Sequence, residues 1–133
     1  MEDILSDKKI NSLQLVESIE KGISYSTFER LVKQYSFAMQ DLADTIGINK
    51  RTLTRRKTEK KLTKFESDRL VSVARLLAQT FELFENDKTK AMTWLNAPNR
   101  GLGGRTPLQM AQTETGLREV ENLIVRLEHG VFS

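Results

Sequence analysis

The side chains best suited to chemistry in this sequence lie in a basic segment that starts at Asn49 and continues to Lys64. Arginine is the most common reader of guanine in the major groove, while lysine mainly adds positive charge near phosphates. The residues that we expect to contact DNA are Asn49, Lys50, Arg51, Thr52, Thr54, Arg55, Arg56 and Lys57. Arg56 and Lys57 are interpreted as contacts to the DNA backbone rather than to bases. The simpler alternative is that all these charges are merely solvated.

Residues 42–53 have the internal pattern of a helix-turn-helix, which would position the basic side chains. Ala43 is small where two helices would cross, Gly47 can supply a positive φ in the turn, and Asn49 is a good N-cap. The apolar residues expected to pack the two helices together are Leu42, Ile46, Ile48 and Leu53. We expect a dimer that reads a two-fold site in double-stranded DNA, because one short recognition helix buries little surface.

A glycine-rich loop between Pro98 and Arg105 is the second unusual segment. It carries Arg100 and Arg105, and glycine-rich loops before a helix can bind phosphate. However, no strand precedes it and it lacks the Gly-Lys-Ser/Thr of a P-loop. The pattern therefore favours a sharp connector between two helices, and we expect the nearby Trp94 to pack in the core.

The C-terminal tail, defined here as Glu128 to Ser133, contains two apolar residues where chain ends are usually polar. Val131 and Phe132 either fold back against the last helix as a hydrophobic cap or insert into another protein. His129 at the end of a helix is explained by its favourable interaction, when protonated, with the helix dipole.

Catalysis is not indicated by this sequence. The chain has no cysteine and one histidine, and no carboxylate pair can be assigned to a cleft. We therefore predict neither an enzyme nor a metal site, and no cofactor.

The elements that must position these groups are all predicted to be helical. The longest helix should begin with a capping box at Thr63 and Glu66 and end near Asn86. Two further starts are predicted, at Asp87 and at Thr106 followed by Pro107. Other predicted helices are Ser12 to Glu20, Thr27 to Gln34 with Ser26 and Glu29 as a capping box, Phe37 to Thr45, Lys50 to Thr58 and Leu117 to His129.

The fold class is thus all-α, with an N-terminal helix-turn-helix module joined by the long helix to a small C-terminal helical module. We predict domains over residues 1–80 and 81–133. The 133 residues carry a net charge of +3, but residues 30–69 hold eleven Lys/Arg against five Asp/Glu. That asymmetry favours nucleic-acid binding in the middle of the chain. A polar start at Met1 to Asp7 and the lack of any long apolar run predict a cytoplasmic protein without membrane contact.

The chain resembles the Xre/MbcA/ParS antitoxins, which are partners of RES-domain toxins. The resemblance covers most of the chain, although the first forty residues match only loosely. The residues that carry it are Trp94-Leu95, Pro98-Asn99, Leu102-Gly103-Gly104, Thr106-Pro107-Leu108, Thr113-Glu114, Gly116, Val120 and His129-Gly130-Val131-Phe132.

The resemblance implies a toxin that degrades NAD and is related in fold to ADP-ribosyltransferases. It implies that the C-terminal module covers the toxin's active-site cleft, with Phe132 and the terminal carboxylate as the plug, and that the helix-turn-helix represses the antitoxin's own operon. The matching candidate toxin-binding residues are Arg100, Arg105, Glu128, His129, Gly130, Val131, Phe132 and Ser133. Two alternatives are a stand-alone dimeric repressor whose C-terminal half only dimerises it, and a small-ligand sensor using the Gly101 to Arg105 loop.

Overall fold

The computed structural model of the chain describes residues 11–130, and those residues form helices and no strand. The helices are α1 (Ser12–Lys21), α2 (Tyr25–Gln34), α3 (Met39–Thr45), α4 (Lys50–Glu59), α5 (Lys64–Leu83), α6 (Lys88–Leu95), α7 (Pro107–Met110) and α8 (Glu114–Glu128), with a 3-10 turn at Arg100–Leu102. The prediction of an all-α fold is therefore confirmed. In the described part of the chain, no helix is both long enough and apolar enough to span a bilayer.

The chain divides into two compact units, and the division falls inside α5, between Ala74 and Arg75. The boundary predicted from the sequence, after residue 80, lies further along this same helix.

The N-terminal unit is built around a core to which α2, α3 and the first half of α5 contribute. Its fully buried side chains include Phe28, Leu42, Ile48, Leu62 and Leu70. The segments that flank α2 and α4 are joined by backbone hydrogen bonds, from Leu62 N to Ile23 O at 2.8 Å and from Tyr25 N to Lys60 O at 3.0 Å. Because these bonds fix both ends of the α4–α5 connection, the start of α5 is held against the rest of the unit.

The C-terminal unit packs the second half of α5 with α6, α7 and α8. Its fully buried side chains include Leu77, Leu95, Leu117, Val120 and Ile124. Trp94 is half-buried, and its ring lies 6.1 Å from that of Phe84 in a tilted arrangement. Partial burial of this large ring stabilises the unit while leaving some of its surface accessible.

Most predicted helix starts are confirmed by side-chain hydrogen bonds. Thr63 and Glu66 form a capping box, in which Thr63 N donates to Glu66 Oε1 (2.9 Å) and Glu66 N donates to Thr63 Oγ1 (3.2 Å). Asp87 caps α6, and Thr106 caps α7 with Pro107 in its first turn. Each of these helix caps is formed by residues close together in the sequence. The sequence alone is therefore sufficient to predict them.

Several predicted boundaries were wrong, among them the start of α3, which lies at Met39 rather than Phe37. The cap of α2 is Ser24, whose Oγ accepts from Thr27 N, and Ser26 bonds to the Ser24 hydroxyl instead. The long helix ends at Leu83 rather than near Asn86, because Glu85 and Asn86 both adopt positive φ. The last helix starts at Glu114, three residues before the predicted Leu117, and Thr113 is its N-cap.

Candidate binding surfaces

The helix-turn-helix consists of α3, a tight turn and α4. In the turn, Ile48 N donates to Ala43 O at 2.8 Å and Gly47 N donates to Asp44 O at 3.1 Å. Gly47 has φ +86°, and a Cβ placed there would meet no atom within 4 Å. The turn therefore needs glycine for its backbone conformation rather than for space. Four apolar side chains hold the two helices together, all of them buried as predicted: Leu42, Ile46, Ile48 and Leu53.

Helix α4 begins at a side-chain cap that fixes its first turn. Asn49 Oδ1 accepts from Thr52 N at 2.8 Å, which satisfies one of the free amides at the helix start. Thr52 is half-buried, so it lies at the edge of the accessible face. Asn49 and Thr52, which both belong to the predicted DNA-binding set, thus define the first turn of α4. Recognition helices approach base edges with this turn.

The accessible face of α4 carries most of the predicted basic side chains. Lys50, Arg51, Thr54, Arg55 and Lys57 are all exposed. Arg51 and Arg55 are four residues apart, so they project from the same side of the helix. Within residues 11–130 none of the four cations is held in an ion pair, and this leaves their charge available to an anionic partner.

Arg56, also in the predicted DNA-binding set, lies on the opposite side of α4. Its side chain is 11% exposed. The guanidinium donates from Nε to Glu66 Oε1 (2.6 Å), from Nη2 to Glu66 Oε2 (3.0 Å) and from Nη1 to Glu59 Oε1 (2.9 Å). With three of its N–H groups bound to carboxylates and its side chain nearly buried, Arg56 is not placed to contact phosphate, and we remove it from the candidate surface.

Glu66 was predicted from the sequence only as part of a helix cap, and its bond to Arg56 was not predicted. Burial would raise the pKa of its carboxyl, but hydrogen bonds from Arg56 and Thr63 outweigh burial and lower it. The inward direction of Arg56 could have been inferred from the sequence, because Arg56 lies three residues after the buried Leu53. Residues three apart project from the same face of a helix. The pair joins the recognition helix to the start of α5.

The glycine-rich loop of the C-terminal unit closes on Asn99. Asn99 Oδ1 accepts from Gly101 N (2.8 Å), Asn99 N donates to Arg105 O (3.0 Å), and Gly104 N donates to Asn99 O (2.9 Å). These internal bonds use the amides that a phosphate would need, and they give the loop the geometry of a connector. Arg100 and Arg105 are exposed, and neither is in an ion pair with another described residue.

The end of α8 presents part of the predicted toxin-binding set. Glu128 and His129 are exposed, and Gly130 adopts φ +65° just beyond the helix. The remaining members of the set, Val131, Phe132 and Ser133, lie outside the described residues. Val125, one turn earlier, is 44% exposed and adds an apolar contact point to the same part of the unit.

Groups of three or more His, Asp or Glu side chains that could hold a metal ion do not occur in residues 11–130. The chemistry that the arrangement supports is non-covalent recognition, with a cationic helix face in one unit and a mixed polar and apolar helix end in the other.

Comparison with known proteins assigns each unit to a domain type. Residues 14–75 match the model of the antitoxin Xre-like helix-turn-helix domain. Residues 79–130 match that of the antitoxin Xre/MbcA/ParS C-terminal toxin-binding domain. These two matches fall on either side of residues 76–78, within α5.

The chain is also similar to whole antitoxins. It is 42% identical over 120 residues to Antitoxin Xre of Yersinia enterocolitica, an alignment that covers 90% of this chain and 81% of the relative. Antitoxin Xre of Photorhabdus laumondii is 36% identical over 116 residues, covering 86% and 78%. A protein named Prs ADP-ribosylating antitoxin, from Sphingobium, is 22% identical over 124 residues, covering 86% and 78%.

Proposed function

Because this chain belongs to the Xre family of type II antitoxins, which are not enzymes, we propose that it neutralises a RES-type, NAD-degrading toxin by covering the toxin's active-site cleft. The observation that carries this proposal is the match of residues 79–130 to a toxin-binding domain whose last helix ends in exposed residues. The proposed occupant of the cleft is the end of α8 together with the C-terminal tail.

The chemistry of the tail suits such a cleft. Glu128 brings a carboxylate close to Val131 and Phe132 in the sequence. A site that binds the NAD pyrophosphate needs basic groups, and an acidic segment with an apolar anchor would compete for them. Arg100 and Arg105 are proposed to bind acidic groups outside the cleft, because both are exposed and have no carboxylate partner among the described residues.

The helix-turn-helix is proposed to repress the operon that encodes the antitoxin and its toxin. The exposed cations of α4 supply both base-reading and phosphate-binding groups. Two copies of the chain would read a two-fold operator in double-stranded DNA. The proposed site of action is therefore the cytoplasm, where the operon lies.

A binding and inhibition assay tests the first part of the proposal. The purified chain is titrated against the purified product of its neighbouring gene while NAD consumption is measured. We expect a stoichiometric complex and loss of NAD consumption at the equivalence point. If no complex forms while the chain still binds its promoter DNA tightly, it is the stand-alone repressor.

A further inference from the structure

The turn of the helix-turn-helix is bound by two side chains from outside it. Two carbonyls near the end of α3 are satisfied by amides of the turn itself. The carbonyls of Thr45, the last residue of α3, and of Ile48 are bound by side chains instead. Arg69 Nη2, on α5, donates to Thr45 O at 3.0 Å. Gln40 Nε2, near the start of α3, donates to Ile48 O at 3.3 Å. Carbonyls at a helix end need such partners, and here they come from other parts of the unit.

Arg69 gives α5 a second contact with the helix-turn-helix. Glu66, three residues earlier on α5, binds Arg56 of α4. Because residues three apart project from the same side of a helix, one face of α5 holds both helices of the motif. It holds α4 through Glu66 and α3 through Arg69. Thr45 is buried, and a charge-assisted hydrogen bond in such surroundings costs more to lose than one in water.

We propose that Arg69 and Gln40 are positioning residues for DNA recognition, although neither lies on the exposed face of α4. Helix α4 can bring Arg51 and Arg55 to base edges only at a fixed angle to α3, and the two bonds fix that angle at the turn. Without them the turn samples several angles, and the apparent affinity falls with the fraction of molecules that hold the competent one. This inference rests on the proposed DNA binding and adds residues that do not touch the DNA.

A positioning role and a purely stabilising role lead to different binding patterns. Attraction to DNA of any sequence depends on positive charge, and the exposed cations of α4 remain when Arg69 is replaced. Reading base edges depends on the angle at which α4 enters the groove. Loss of the Arg69 bond should therefore weaken binding to the operon's promoter and leave binding to unrelated DNA unchanged. A variant that is partly unfolded would lose both in equal proportion.

Fluorescence anisotropy of the full chain, at fixed salt, with the promoter duplex and a scrambled duplex of equal length tests this. We expect Arg69→Met to weaken promoter binding by about tenfold or more, the loss of one charge-assisted hydrogen bond, and to bind the scrambled duplex as the wild type does. Arg69→Lys keeps a donor and should recover most of the loss. The matched control is Arg75→Met, which removes the same charge from an exposed position further along α5 and should bind both duplexes normally. Circular dichroism confirms that each variant is folded.

Two results for Arg69→Met would overturn its positioning role: unchanged promoter affinity, or an equal loss on both duplexes. A wild type that does not prefer the promoter to the scrambled duplex contradicts the proposed repression of the operon together with this inference. A wild-type preference that Arg69→Met retains contradicts this inference alone. The two failures are thereby told apart.

Gln40→Leu tests the second bond with the same two duplexes. The Gln40 amide also donates to Asp44 Oδ1 at 2.8 Å, so its nitrogen is already bound within the motif. Positioning predicts a loss of affinity for the promoter alone. A direct contact from Gln40 to a phosphate would instead weaken binding to both duplexes by a similar factor, and that result would contradict the positioning role.

Discussion

Glu66 shows how one side chain can organise the proposed DNA-binding unit. Its carboxylate accepts from Thr63 N at the start of α5 and from two nitrogens of Arg56 on α4. Both side chains of the pair are nearly buried, with 11% and 12% exposed. Such a pair contributes less through net attraction than through the cost of leaving either charge unpaired in the interior.

Replacing Glu66 with alanine should destabilise the chain by about 3 kcal/mol, the lower end for breaking a buried pair, because Glu59 still binds Arg56. Urea unfolding followed by circular dichroism measures this. The control Glu59→Ala removes a half-exposed partner and should cost below about 1 kcal/mol. Equal losses for the two variants would show that Glu66 does not hold the junction.

The stability difference between wild type and Glu66→Ala should also depend on pH. The folded protein holds the Glu66 pKa below its ordinary value of 4.5. Its contribution is therefore complete above that value and is lost as the pH falls through the lowered, native pKa. Unfolding measured from neutral to acidic pH should show the two proteins converging. A difference that stays constant into acid would contradict the ionised pair.

Gly116 is the residue at which an added methyl group should be least tolerated in the C-terminal unit. A Cβ there would collide with the backbone carbonyl of Met110. We expect Gly116→Ala to cost about 2 kcal/mol or more, because a backbone atom cannot move aside cheaply. Unfolding followed by the fluorescence of Trp94, the single tryptophan, reports on this unit. The neighbouring exposed Thr115→Ala is the control, with an expected change within about 0.5 kcal/mol.

Among the helices, α4 has two faces with different proposed roles. Its exposed face carries Arg51 and Arg55, while its inner face carries Leu53 and Arg56. The outer face is proposed to meet DNA, and the inner face fixes the angle at which it does so.

Arg51→Ala and Arg55→Ala should each weaken binding to the operon's promoter by about 1–3 kcal/mol if the arginine reads a base. Electrophoretic mobility shifts at fixed salt measure the loss, and Lys33→Ala, an exposed cation on α2, is the matched control. Wild-type affinity in both arginine variants would move the recognition surface away from α4.

Features of these helices that depend on neighbouring residues were predictable from the sequence, whereas features that depend on distant residues were not. Helix caps such as Thr63 with Glu66 and Thr106 with Pro107 were predicted because their partners lie within three residues. The inward side of Arg56 was missed because its main partner is ten residues away and on another helix. At the start of α2, Ser24 and Ser26 are chemically equal as caps, and only the tertiary path of the chain selects Ser24.

The uncovered stripe of α1 marks a further limit. Leu13, Val16 and Ile19 have helical spacing, so the helix itself was predicted, with an expected end at Glu20 and an observed end at Lys21. Periodicity identifies an apolar face, but it does not say whether the face is covered by the same chain or by another. The exposure of Leu13 and Val16, at 66% and 48%, comes from the folded structure alone.

For the whole molecule, two units in one chain correspond to two proposed activities. The cations concentrated between residues 30 and 69 fall in the helix-turn-helix unit, whereas the candidate toxin contacts fall beyond residue 99. Toxin neutralisation and DNA binding should therefore respond to different substitutions.

Cellular NAD reports on toxin neutralisation by the chain and on the role of its tail in the same experiment. The product of the neighbouring gene is expressed alone, with the full chain, with the chain lacking residues 131–133, and with the chain carrying Arg51→Ala and Arg55→Ala together. We expect NAD to fall with the toxin alone, to recover with the full chain and with the arginine variant, and to stay low with the shortened chain. Full recovery with the shortened chain would contradict the tail's role in the cleft, and no recovery with the full chain would contradict neutralisation itself.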